Sequence, residues 1–380
     1  ALRPDGVVHP PAEGGASWVV QYGSDRYCRV GADLAALLTS LDGDTTTAQV
    51  ATKLGAPWSA QTIDAALERL ACLDLLDDGT SQHVRPPRRF NFRPPFVLQV
   101  NLFDPSRVLG MAPRAVHAIA GRPGQFVTAL LGLGGLLALA GQAASLRAAM
   151  LAPLPIAAFY AILAGLVATT FLHELGHGCV LVHHGGRPRR LGMMLFYLMP
   201  AFYCDVSDGW RLGRREQRVG VALAGIVTQC AVAGASAIVA AVMPDGDLRV
   251  CLLVFAVTCY LYGLVNLVPL VKLDGYIALM SYLDIPHLRT KAIADAQRAI
   301  RGLVAGTRER RELSERWWAV PYGLGCLLLP PVLVVGALSL WETTFFSMGR
   351  AGAALCLLLL LGIGFYTLKG ATHFVNRIRR

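Results

Sequence analysis

A chain of 380 residues that is 54% hydrophobic and only 16% charged, with a mean hydropathy of +0.48, is too apolar for an ordinary soluble globule. It points to a protein that lives mostly in a lipid bilayer. The formal charge of +10 does not mark a nucleic-acid binder, because residues 1–95 hold nine Lys/Arg against eleven Asp/Glu and the basic excess falls in the apolar part.

In chain order, the first ninety residues show no basic segment followed by a short apolar run and a cleavage site. Residues 1–84 are therefore expected to fold as a domain that stays where it is made. "SWVVQYGSDRYCRV" reads as a hairpin around Gly23-Ser24-Asp25, and "ADLAALLTSL" as a short helix. "TTTAQVATKLG" reads as a Thr-capped helix that stops at Gly55, and "SAQTIDAALERLACLDLL" as an amphipathic helix. That order suggests a small α+β module of winged-helix type on the cytosolic side. Many winged helices bind DNA, but the last helix carries Arg69 against Asp64, Glu68 and Asp74, so no nucleic acid is expected as a partner. Residues 85–125 follow as a linker and interfacial segment that opens with the proline-rich, extended "RPPRRFNFRPP".

Residues 126–380 are expected to form a mainly α, polytopic transmembrane helix bundle. Its candidate spans are 126–143, 155–182, 219–243, 250–271, 319–340 and 352–369, each near the ~20 apolar residues that cross a hydrocarbon core. Six crossings put both termini on one side. The connections on that side carry Arg107, Arg114, Arg122, "RPRR", "RLGRREQR", the basic stretch 288–316 and "KGATHFVNRIRR", whereas the other side shows only Arg147, Arg249 and Arg350. Basic loops stay cytoplasmic, so both termini are expected there. Glycines 132, 134, 135 and 141 of the first span read as helix-packing positions. Residues 191–206, broken by Pro200, read as a re-entrant or interfacial piece, and "GYIALMSYL" as a short helix at the membrane face. The nine cysteines are odd in number, form no CxxC pair and lie mostly in apolar runs, which argues against a disulfide framework or a cysteine metal site.

Inside the second span stands "FLHELGHGCV". Ionisable side chains at membrane depth cost several kcal/mol unless paired or wetted. Helical spacing stacks positions i and i+4, so His173 and His177 can offer two imidazoles to one zinc ion, with Glu174 beside them to act on water. A catalytic zinc takes three protein ligands, and the candidates for the third are His183, His184, Asp205 and Asp274. Topology favours Asp274, because the second and fourth spans both run inward and bring all three residues to the cytoplasmic ends of their helices.

"HELGH" in one membrane helix and "NLVPLVKLDG" about ninety residues later resemble the site-2 protease family of intramembrane zinc metalloproteases over residues 155–285. The resemblance implies that His173, His177 and Asp274 hold one catalytic Zn2+, that Glu174 is the catalytic base, and that Asn266 is a polar group near the substrate carbonyl. "RRLGMMLFYLMPAFYCDVSDGWRL" is similar to a subgroup of peptide zinc metalloproteases encoded with ribosomally made, modified peptides, and within it Pro200, Tyr203 and Asp205 are candidate substrate-binding residues. In one place the chain departs from the family: Gly225-Ile226 and Gln229 stand where many relatives show Gly-Pro and Asn. Residues 15–80 resemble the leader-recognition domains of ribosomal-peptide pathways, akin to the small chaperone of pyrroloquinoline quinone synthesis, which hold a leader peptide as an added strand. A domain that only docks on the membrane part is the other reading of this segment.

These resemblances imply an endopeptidase of a bacterial cytoplasmic membrane. It would cleave near the cytoplasmic face and remove the leader of a precursor peptide. The alternatives are a site-2-type protease that releases a membrane-bound regulator and a zinc-bearing peptide transporter or immunity protein. The sequence sets no oligomeric state.

Overall fold

The computed structural model describes residues 2, 6–11, 18–22, 26–72, 75–77, 90–93, 97–151, 155–196, 199–306, 311–329, 332 and 336. Two compact units divide the chain, one of residues 1–267 and 277–282, the other of 268–276 and 283–380.

The first unit opens with strands β1 (Val7–His9), β2 (Trp18–Tyr22) and β3 (Arg26–Val30), an antiparallel sheet in the order β1-β2-β3. The expected turn at 23–25 lies outside the described residues. Helices α1 (Ala32–Ser40), α2 (Thr47–Leu54) and α3 (Ala60–Cys72) follow in the expected order. Helix α2 starts where it does because Thr46 and Gln49 form a capping box, each side chain accepting from the other's backbone N–H, and it stops at Gly55, whose φ is +69°. Apolar side chains alternate or recur at helical spacing, so Val20, Val30, Leu38, Leu70 and Leu75 meet in one core and Leu37, Val50 and Ile63 in another.

A second sheet, in the order β4-β5-β6-β7, joins β4 (Phe90–Arg93), β5 (Val97–Phe103), β6 (Leu191–Phe196) and β7 (Met199–Cys204), all antiparallel. The stretch expected to be re-entrant or interfacial thus holds two paired strands, and part of the expected linker at 85–95 is a strand. The ladder gives the backbone hydrogen bonds that such chain needs at an apolar depth. Pro200 lies on β7, the end strand of this order, where a missing N–H is tolerated.

After the short helices α4 (Pro105–Met111) and α5 (Pro113–Ala120) come α6 (Arg122–Gly141), α7 (Ala143–Leu151), α8 (Ile156–His183), α9 (Arg215–Val242) and α10 (Asp247–Asn266). Of these, α6, α8, α9 and α10 are long and apolar enough to cross a membrane, four among the described residues. They match the first four spans read from the sequence, although α10 ends at Asn266 and not at 271. Of the fifth expected span only α13 (Ala319–Leu329) and residues 332 and 336 are described, and the sixth lies outside the described residues.

Small residues set the closest helix approach. A Cβ on Gly135 would strike Gly234 of α9 and the Tyr260 hydroxyl, and one on Gly234 would strike the Leu131 carbonyl, so α6 and α9 pack backbone against backbone. Gly141, by contrast, faces open space.

In the second unit, α12 (Leu288–Ala305) is anchored by Asp295, which is fully buried and accepts from the Glu312 and Leu313 N–H groups and from Arg298. Arg289 donates to the Leu270 and Cys326 carbonyls and the Tyr322 hydroxyl to the Pro269 carbonyl at 2.8 Å, which fixes the loop before Asp274. The division falls within α11 (Asp274–Leu283), the expected short helix: Asp274–Tyr276 group with the second unit and Ile277–Tyr282 with the first.

Candidate metal centre

Helix α8 places His173 and His177 one turn apart on its buried face, each 5% exposed. Their surroundings decide where the ring protons sit. His177 Nδ1 lies 2.7 Å from the Val221 carbonyl oxygen, which can only accept, so Nδ1 carries the proton. His173 Nδ1 lies 3.1 Å from Gln229 Oε1. The Gln229 amide cannot be turned round, because its Nε2 donates to the Cys259 carbonyl at 2.8 Å and that oxygen, too, only accepts. His173 therefore also carries its proton on Nδ1.

In these tautomers the two Nε2 atoms turn toward each other at 3.2 Å. Ligand nitrogens about 2.0–2.1 Å from a tetrahedral ion lie about 3.3 Å apart, so the spacing is one at which a single cation takes both. A carboxylate oxygen of Asp274 completes the group, with the three ligand atoms within 4.8 Å of one another. Room has been kept open as well: a Cβ built on Gly225 of α9 would collide with Nε2 of both histidines. The donor set, the tautomers and the glycine opposite them all fit a metal ion.

Glu174, next to His173 on α8, holds its carboxylate toward β7, where Oε2 accepts the Cys204 N–H at 2.8 Å. The Cys204 thiol is pushed well above its ordinary pKa, first by burial and then by the neighbouring Glu174 charge.

The other candidates for third ligand are not members of this group. His183 Nδ1 is 2.9 Å from His117 Nδ1 of α5, and His184, at the end of α8, has its pKa pushed down by partial burial and then by His183. Asp205 Oδ1 accepts the Ser207 N–H at 3.1 Å and so closes the turn after β7. Among the substrate-binding candidates, Tyr203 lies across Gly192, where a Cβ would press on its ring, and donates to Asn101 Oδ1. Its hydroxyl serves the sheet. Asn266 is buried, 8% exposed, on the last turn of α10.

Val221, Gly225 and Gln229 are the site residues not singled out as such from the sequence. The signal was present, since they recur every fourth residue on one predicted span. Comparison with protein-family models, curated proteins and solved structures finds no match.

Proposed function

We propose that the chain is an intramembrane zinc metalloprotease that removes the leader of a precursor peptide near the cytoplasmic face of a bacterial membrane. The observation that carries the reading is the pair of Nε2 atoms converging with Asp274 beside a carboxylate that is not one of the three. His173, His177 and Asp274 would hold Zn2+, which when bound acidifies a water molecule and polarises a carbonyl. Among the described residues the group has three members, as in a catalytic zinc site with an open position and unlike a structural zinc closed by four, and this supports the protease over a transporter with a structural metal.

The protein's own groups supply the remaining chemistry. Glu174 takes the water proton and returns it to the leaving amine nitrogen, and the Cys204 N–H keeps its carboxylate aimed during both transfers. Asn266 offers an amide to the substrate carbonyl. Among the described residues β7 has no second neighbour, so an extended substrate can add there as a further strand, on the strand whose last N–H holds Glu174. An apolar groove lined by Tyr160, Leu163, Ala164, Val167, Phe171 and Phe202 suits a hydrophobic peptide. Phe171 precedes His173 by two positions, and Phe202 precedes Cys204 by two.

The edge strands of the N-terminal sheet offer the leader a place to pair, and Arg29 of β3 stands over the Trp210 ring at 5.7 Å, which ties the module to the loop after β7. Incubating the zinc-loaded protein and Glu174→Gln with the precursor peptide encoded beside it, followed by mass spectrometry, tests the reading. Cleavage by the native protein alone is expected. Equal cleavage by both, or by neither with zinc bound, would overturn it.

A further inference from the structure

We infer that Gln229 is a positioning residue that sets the tautomer of His173 and so decides whether the pair of histidines can take a metal; this rests on the metalloprotease reading. Gln229 is 1% exposed in a membrane helix, where a primary amide is costly unless both of its ends are bonded. Both are: Nε2 donates to the Cys259 carbonyl of α10 and Oε1 accepts from His173 Nδ1. The first bond fixes the orientation of the amide, and the second reads that orientation into the imidazole. Val221 does the same for His177 through a backbone carbonyl, four residues before Gly225, as Gln229 lies four residues after it. One stripe of α9 therefore carries two tautomer-setting acceptors with the glycine opening between them.

Removing the acceptor has a definite consequence. His173 Nδ1–H would lose the acceptor that aligns the ring with its Nε2 toward His177 and Asp274, so the ligand set would be less well ordered for an ion. A partner behind a ligating histidine is worth about 10–100-fold in metal affinity.

The test compares metal-stripped native protein with Gln229→Leu and Gln229→Glu in detergent. Zn2+ affinity is read by competition with a chromophoric chelator, the visible spectrum of the Co2+ form reports the ligand geometry, and thermal unfolding of the metal-free forms is followed in parallel. Gln229→Leu should bind Zn2+ about 10–100-fold more weakly while its metal-free form unfolds no earlier than native. Gln229→Glu, which keeps an acceptor for Nδ1–H, should retain the affinity and the Co2+ spectrum. Gln229→Met fills the same space and carries the comparison if the leucine variant is not recovered folded. Unchanged affinity in the apolar variant, or an equal fall in Gln229→Glu, would overturn the inference while leaving the protease reading intact. A native protein that binds no ion would overturn both.

Discussion

The N-terminal module and the four long helices use the same apolar residue types in opposite directions. In the module, Leu37, Leu38, Ile63 and Leu75 are fully buried and polar residues sit at caps and turns, the pattern expected when water drives apolar groups together. In helix α9, eight of the twelve buried positions are alanines or glycines, while Leu137 of α6 is 75% and Val242 of α9 82% exposed. Lipid, being apolar itself, does not drive such side chains inward, so small residues that bring backbones together form the contacts. A polar residue therefore means different things in the two regions. Gln49 in the module is part of a cap, whereas buried His173, His177, Gln229 and Asn266 among the helices need a specific reason to be there.

The largest effects should come from the helices' polar residues. Glu174→Gln should lower single-turnover cleavage by about 10²–10⁴-fold, the range of a lost general base, with zinc content and helical content unchanged. Loss of zinc along with activity would mean that Glu174 supports the site instead of acting on substrate. Gly225→Ala sharpens the contrast: a change of one methyl group, harmless in most helices, should abolish stoichiometric zinc binding because that methyl would collide with both ligating nitrogens. A zinc-loaded, active Gly225→Ala protein would show that α8 and α9 move apart readily and that the glycine is a packing residue only.

How much of this was legible beforehand divides along the same line. Helix length, apolarity and the i, i+4 histidines follow from local rules, so the first four spans, His173 and His177 could be read directly. Thr46 and Gly55 announced the ends of α2 for the same reason. The second sheet could not be read in this way, because it pairs β5 with β6, segments separated by almost ninety residues and by three helices longer than eight residues. No local pattern encodes that pairing. Val221 was out of reach for another reason: it acts through its carbonyl, which every residue has. Gln229 was visible as a lone amide in an apolar run, and the His173 bond gives it a physical role.

Truncating the module's core tests the comparison from the other side. Ile63→Ala should destabilise the module by about 2–5 kcal/mol through lost burial and the cavity left behind, with zinc affinity unaffected. Leu137→Ala, the same kind of truncation on an exposed face of α6, should change stability in detergent within about 0.5 kcal/mol. Equal losses at the two sites, measured by hydrogen exchange over 32–72 and over α6, would mean that the exposed face of α6 is covered.

The smallest expected effect lies at the turn before α2. Thr46→Ala removes half of the capping box and should cost about 1 kcal/mol, and Asp42 acts just upstream in a way that pH can switch. Its carboxylate accepts from the Thr45 hydroxyl at 2.6 Å and from the Thr45 and Asp44 N–H groups, and these bonds hold its pKa below the ordinary carboxylate value. A depressed folded-state pKa means that the contribution is complete above the unfolded value and disappears as pH falls through the folded one. Because Asp42 is fully exposed, the gain is small and screened by salt. Asp42→Ala should thus lower the hydrogen-exchange protection of α2 slightly at neutral pH and not at all once the native carboxylate is protonated. A difference that persists unchanged into acid would assign the role of Asp42 to the shape of the turn and not to its charge.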